Sequence, residues 1–353
     1  MSNTPEPDFP TFNGTVHTII HRGDIVYVGG SFTRATDEAR TVVRNGAAAF
    51  NRTTGDLVKW KPNVKGTVLD MAWSKEGVYL VGKFKAVKGK KRKNVALVKS
   101  TGAGKLMPLN IKAVGVVQAV GMDAKKVYIG GKFTKVAGQK RGRLAAFNRK
   151  NGKLAKWAPI ANDGPVQDLR VTKRGVFVGG FFHAMNGKKA HERFALLKRK
   201  NGALVTGFNP RTGVPVMNIA VGAGTLYAAL GGPRGGGLEA VNRGTGARQW
   251  ERRLDGDVQA VSILGGTIYA GGHFNQVCDR GVLQEPTGDC EGDLQQTRRR
   301  GASFLPNGDL TDWNPNANTE MGIEALDAYA DREQLLAGGA FTFPASRFAV
   351  FAP

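Results

Sequence analysis

The sequence predicts an all-β protein built of repeated four-stranded antiparallel units, and three observations carry that prediction. One short template recurs along the 353 residues: Val26-Tyr-Val-Gly-Gly-Ser-Phe32, Val78-Tyr-Leu-Val-Gly-Lys-Phe84, Val127-Tyr-Ile-Gly-Gly-Lys-Phe133, Val176-Phe-Val-Gly-Gly-Phe-Phe182, Ile268-Tyr-Ala-Gly-Gly-His-Phe274 and Leu335-Leu-Ala-Gly-Gly-Ala-Phe341. The segments around it alternate apolar and polar residues and are rich in β-branched and aromatic side chains, with no helical period. Glycine and asparagine punctuate them at hairpin spacing.

The template is the second strand of each unit. Its phenylalanines lie 52, 49 and 49 residues apart, then 92 and 67. The long step holds a degenerate copy, Leu226-Tyr-Ala-Ala-Leu-Gly-Gly232, so the units number seven. A first strand follows a glycine, as in Gly66-Thr-Val-Leu-Asp-Met-Ala-Trp73. The third begins after a basic residue, as in Arg143-Leu-Ala-Ala-Phe147, and ends in a turn such as Thr53-Thr-Gly55, Lys150-Asn-Gly152 or Lys200-Asn-Gly202. The fourth carries an aromatic shortly before a proline: Trp60-Lys-Pro62, Trp157-Ala-Pro159, Phe208-Asn-Pro210 and Trp313-Asn-Pro315.

Units of this size and strand content are expected to be the blades of one propeller domain spanning 1–353, at approximately 14–62, 66–110, 115–160, 164–210, 214–255, 256–315 and 320–353. The last copy ends at a third strand, Arg347-Phe-Ala-Val-Phe351, while Phe9-Pro10 and Asn13-Gly14-Thr15-Val16 resemble a fourth strand with its entry turn. Residues 3–12 are therefore expected to complete the seventh blade and leave no long edge exposed.

The recurrent Tyr-Val-Gly-Gly-x-Phe-Thr, followed by Arg-x-x-Ala-Phe-Asn and a Thr/Asn-Gly turn, resembles the repeat of the bacterial delta-60 β-propeller family. The best copies are Gly29-Gly-Ser-Phe-Thr33 with Ala47-Ala-Ala-Phe-Asn51, and Gly130-Gly-Lys-Phe-Thr134 with Arg143-Leu-Ala-Ala-Phe-Asn148. The resemblance covers essentially the whole chain. It implies a seven-bladed propeller of an extracellular or cell-surface kind and implies no single reaction. The fifth unit departs from the pattern with Gly231-Gly-Pro-Arg-Gly-Gly-Gly237.

Charge suggests a partner. Residues 1–200 hold 39 basic and 12 acidic side chains, whereas 201–353 hold 12 and 16, and every lysine precedes position 201. The loops after the second strand concentrate cations in units two to four: Lys83, Lys85, Lys88, Lys90, Lys91, Arg92 and Lys93, then Lys132, Lys135, Lys140 and Arg141, then Lys188 and Lys189 with His191. A basic sector of this kind attracts a polyanion and releases its counterions on binding. The first function expected is non-catalytic binding of an anionic glycan or acidic protein surface through blades one to four. Nucleic acid ranks last, since these loops lack interleaved aromatics.

The alternative is a polysaccharide lyase or glycoside hydrolase at the channel mouth. First-strand positions facing the channel carry His17, Asp70, Asp168 and Glu324, the residues to test for proton transfer. The basic residues that open the third strands, Lys93, Arg143, Arg193, Arg300 and Arg347, recur too regularly to be a ligand site and are expected to bind neighbouring carbonyls.

Cys278 and Cys290 are either bridged or two thiols, and their close spacing in a Gly/Asp/Pro insert favours a bridge. The insert's Asp279, Asp289, Glu291 and Asp293 form only a weak calcium pattern that lacks EF-hand register, so no cofactor or metal is expected. No apolar run is long enough to cross a membrane as a helix. The first residues show no export signal, and a removed leader is presumed for an extracellular or cell-surface monomer.

Overall fold

The computed structural model describes residues 1–232, 235–278 and 295–353. It is all-β with antiparallel pairing, and among these residues the only helical turns are the 3-10 turns Lys189–His191 and Ala330–Arg332. Seven meanders follow one another. Their first strands are Val16–Arg22, Val64–Ser74, Val117–Met122, Val166–Val171, Val216–Val221, Val258–Leu264 and Ile323–Tyr329. Each pairs with the template strand, which pairs with the third. Each first strand also packs against the first strand of the next unit, and Ile323–Tyr329 packs against Val16–Arg22.

The Gly-Gly pair is explained by what a side chain would strike. A Cβ on the first glycine would meet the lead Val or Ile of the following unit: Gly29 meets Val68 at 2.7 Å, Gly130 meets Val166 at 2.5 Å, Gly179 meets Val216 at 2.5 Å and Gly271 meets Ile323 at 2.4 Å. The series ends with Gly338, which meets Val16 at 2.5 Å. A Cβ on the second glycine would lie about as close to a carbonyl at the entry to the first strand, as at Gly131 with the Val116 oxygen at 2.3 Å. That carbonyl lies one residue before a bulge, and the same register shift interrupts all seven first strands.

The fourth strand differs from the expectation. Only the fifth unit forms it in full, Arg248–Leu254; units one to four and six show a single bridge, as between Phe50 and Leu57 or Phe147 and Leu154, and the seventh shows none among the described residues, Thr11–Phe12 pairing instead with Arg34–Thr36 of the first unit. The shortened segments run on into Pro62, Pro159, Pro210 or Pro315, all past the positions that would face the third strand. The fifth segment has none and also bridges to Gln276–Cys278, giving a six-stranded sheet.

The tryptophans of these segments are buried between units. Trp60 donates from Nε1 to the Lys99 carbonyl (2.8 Å), Trp157 to that of Lys198 (3.0 Å) and Trp313 to that of Ser2 (3.1 Å). Residues near the N-terminus lie along the last strand, with Ser2 N donating to Ala352 O and Glu6 N to Val350 O, both at 2.7 Å. One apolar cluster joins the first and seventh units through Val16, Phe50, Phe348 and Val350.

The residues opening the third strands share a left-handed backbone: Gly46 (φ 69°), Asn94 (66°), Arg143 (68°), Arg193 (62°), Arg300 (64°) and Arg347 (70°). The second unit's member is thus Asn94 and not Lys93. Their side chains bind carbonyls, as Arg143 to Ala161 (2.8 Å), Arg300 to Thr319 (2.6 Å) and Asn94 to Gly115 (2.7 Å). Cys290 and the acidic insert lie outside the described residues; Cys278 is buried in Gln276–Cys278.

Candidate functional site

Two places gather polar chemistry. The first is an open cavity of about 500 Å³ lined by residues of the seven first strands. It brings together all four residues singled out for proton transfer, His17, Asp70, Asp168 and Glu324, along with Gln118, Gln167, Arg170, Asn218 and Asp327. His17 Nδ1 lies 2.8 Å from Glu324 Oε2, and His21 Nδ1 lies 2.6 Å from Asp327 Oδ2. Both pairs bridge the first and last units. Sequence reasoning missed the second, whose only signal is that His17/His21 and Glu324/Asp327 are similarly spaced on strands far apart in the chain.

Asp70 and Asp168 do a different job. Asp70 accepts the amide of Met71 (2.8 Å) and, across the unit boundary, that of Val120 (2.7 Å). Asp168 likewise accepts Leu169 N and Ile219 N, both at 2.8 Å, with Arg170 3.2 Å away. Asn218 repeats the device on Val261 N at 3.2 Å. These groups tie the second first strand to the third, the fourth to the fifth and the fifth to the sixth, and both carboxylates spend acceptor sites on two backbone amides. Gln118 donates to Gln167.

Burial pushes the Asp70 carboxyl up to about 7, with Asp168 adding to the rise and the Arg170 cation and the two amides opposing it. Burial also raises Asp168, against Arg170 and its amides. A raised carboxyl favours the folded protein most below its unfolded pKa, and that contribution declines as pH climbs from about 4 to about 7. Asp70→Asn is therefore expected to cost more stability at pH 4 than at pH 7, the gap narrowing by roughly 2–4 kcal/mol. Denaturant midpoints across that range check it; a gap that widens with pH contradicts it.

The second place is the set of basic loops. They are ribbons: Gly77–Val87 runs on to pair with Lys90–Lys91, and Lys135–Val136 pairs with Gln139–Lys140. Lys83, Lys85, Lys90, Lys91, Lys93, Lys132, Lys135, Lys140, Lys188 and Lys189 are exposed, and Lys88 is half-buried. Burial, with Lys61 nearby, lowers the Lys88 pKa.

Arg92, Arg141 and His191 are placed differently from the lysines. Arg92 donates to the carbonyls of Lys91 (2.9 Å) and Met107 (3.4 Å), and Arg141 to those of Lys140 (2.8 Å) and Ala155 (3.2 Å). Both hold a ribbon to its fourth segment. His191 occupies the matching place in the fourth unit and is buried, which lowers its pKa.

The opposite end of units two to four is basic as well. Antiparallel register puts the hairpins after the first strands, and the turns after the third, at the far ends of the strands, where Lys75, Lys125, Lys150, Lys173 and Lys200 are exposed. Five or six residues at about 3.3 Å each separate the two ends by about 20 Å, more than the roughly 8 Å Debye length. The single cationic face expected from the loops is thus one of two.

No protein-family model and no curated protein matches this sequence. Among solved structures the chain is similar to the crystal structure of the computationally designed Ika8 protein, at 13% identity over 98% of each chain with a TM-score of 0.56. That likeness concerns the fold alone, an all-β chain of antiparallel sheets.

Proposed function

We propose that the chain is a seven-bladed β-propeller that binds an anionic polymer or acidic partner outside the cell through the basic ribbons of its early blades. The propeller reading is supported by the packing of the seventh first strand on the first, by the Gly338–Val16 contact that repeats Gly29–Val68, and by the N-terminal residues bonded along Phe348–Phe351. The resemblance to the delta-60 repeat points the same way.

One observation carries the binding reading. Every ion pair among the described residues uses arginine or histidine, and none uses lysine. Most of the arginines are engaged in the fold, while the exposed lysines have no ion-pair partner among the described residues and cluster in units two to four. Such charges repel one another and favour a polyanion that displaces small counterions. Retention on an immobilised anionic glycan is expected to fall steeply with salt. Replacing Lys83, Lys85, Lys90 and Lys91 by glutamine lowers the log–log salt slope by about 3. Equal retention by that variant overturns the reading.

The enzymatic alternative, a lyase or hydrolase at the channel mouth, rests on the His17–Glu324 contact inside the cavity. A histidine oriented by a carboxylate is a competent proton carrier. Release of unsaturated or reducing ends that His17→Ala abolishes would favour it; Asp70 and Asp168 variants speak to stability instead.

A further inference from the structure

A groove of about 880 Å³ opens between the third, fourth and fifth units, lined by Lys132, Asp163, Phe181, His183, Glu192 and Pro215. Gln167 lines both this groove and the cavity of the first strands, so the two lie on either side of one residue. Lys132 and Phe181 are the residues that follow the Gly-Gly pair in adjacent units, each fixed by its amide to the carbonyl just before a first strand: Lys132 N to Val116 O (2.8 Å) and Phe181 N to Pro165 O (2.9 Å).

Phe181 is out of character for its place. The other units have Ser31, Lys83, Lys132, Gly231, His273 and Ala340 there, so the fold does not require an aromatic. The template phenylalanine beside it, Phe182, is fully buried in a core cluster, while Phe181 is half-buried and belongs to none. Around it, the side chains of Lys132, Asp163 and His183 are exposed, that of Glu192 is half-buried, and none makes a hydrogen bond or ion pair with another described residue. The groove thus combines an apolar ring with Lys132, with two carboxylates free to accept hydrogen bonds, and with Arg193, whose guanidinium is engaged by the Phe181 carbonyl.

That mixture suits neither a phosphate chain, which has no apolar face and is repelled by carboxylates, nor an acidic peptide lacking hydroxyls to satisfy them. It suits a sugar acid: the C–H face of a pyranose packs on an aromatic ring, hydroxyls donate to carboxylates, and an ammonium meets the ring carboxylate. We propose that this groove binds one ring of a uronic-acid-containing polysaccharide, with Phe181 as the packing surface and Lys132 as the carboxylate partner. The inference rests on the polyanion-binding reading and narrows it to one substrate class.

The test is calorimetric titration of the full chain with oligogalacturonate, polyphosphate and polyglutamate at one moderate salt concentration. The wild type is expected to bind all three. Phe181→Ala weakens oligogalacturonate about ten-fold, leaves the other two within about two-fold, and melts with the wild type; Phe181→Trp restores uronate affinity. If Phe181→Ala leaves uronate binding unchanged, or weakens the three alike, the groove assignment is overturned while polyanion binding stands. A wild type that binds polyphosphate and not uronate has the same meaning, and one that binds none overturns both readings.

Discussion

Trp157→Ala is expected to lower the stability of the protein by about 3–5 kcal/mol. The indole is 1% exposed and meets Tyr128 edge-to-face, with centroids 5.0 Å apart and planes at 80°. Its Nε1 donates to Lys198 O in the next unit at 3.0 Å. Alanine removes the packing and leaves that carbonyl without its donor in a cavity at a unit boundary. Trp60 on Tyr27 and Trp313 on Tyr269 repeat the geometry, with centroids 5.0 and 5.2 Å apart, so the loss should recur at those seams. Trp157→Phe keeps most of the packing and should cost about 1 kcal/mol for the hydrogen bond. Denaturant midpoints distinguish the two, and a loss below about 1 kcal/mol for the alanine variant contradicts the account.

Deleting residues 1–8 should cost about 5 kcal/mol and promote association. Five hydrogen bonds go with them: Ser2 N to Ala352 O, Glu6 N to Val350 O, Trp313 Nε1 to Ser2 O, Asn314 N to Asn3 Oδ1 and Gln334 Nε2 to Glu6 Oε2. At about 1 kcal/mol each they account for the figure. The deletion also bares the edge of Phe348–Phe351, whose unpaired backbone is a template for another chain. Melting temperature and light scattering report the two effects. A truncated chain that melts with the full one and stays dispersed would show that the N-terminal residues do not secure the last unit.

Much of the architecture was legible because its causes are local and repeated. Each Gly-Gly pair answers to the carbonyl that enters a first strand and to the next unit's Val or Ile, and the constraint recurs often enough to write a period into the sequence. The fourth segment is shorter than its aromatic suggests, because outside the fifth unit it pairs with the third strand at no more than a single bridge. The candidate site was legible by residue type but not by role. Asp70 and Asp168 look like proton-transfer carboxylates on a channel-facing strand, yet each is bound to an amide about fifty residues further on. Arg92, Arg141 and His191 look like members of a lysine cluster, yet two are tied to carbonyls and one is buried.

The sequence by itself determined the repeat, its strands and hairpin turns, and the basic excess of the first 200 residues, since these follow from backbone sterics, alternation and composition over short stretches. Tertiary structure alone decided that His17 meets Glu324 across 307 positions, that the lysines occupy two ends, and that Phe181 lines a groove while Phe182 fills the core. Packing between units sets distances that no spacing along the chain encodes, and it is packing that turns an acidic side chain into a backbone brace or leaves a lysine free.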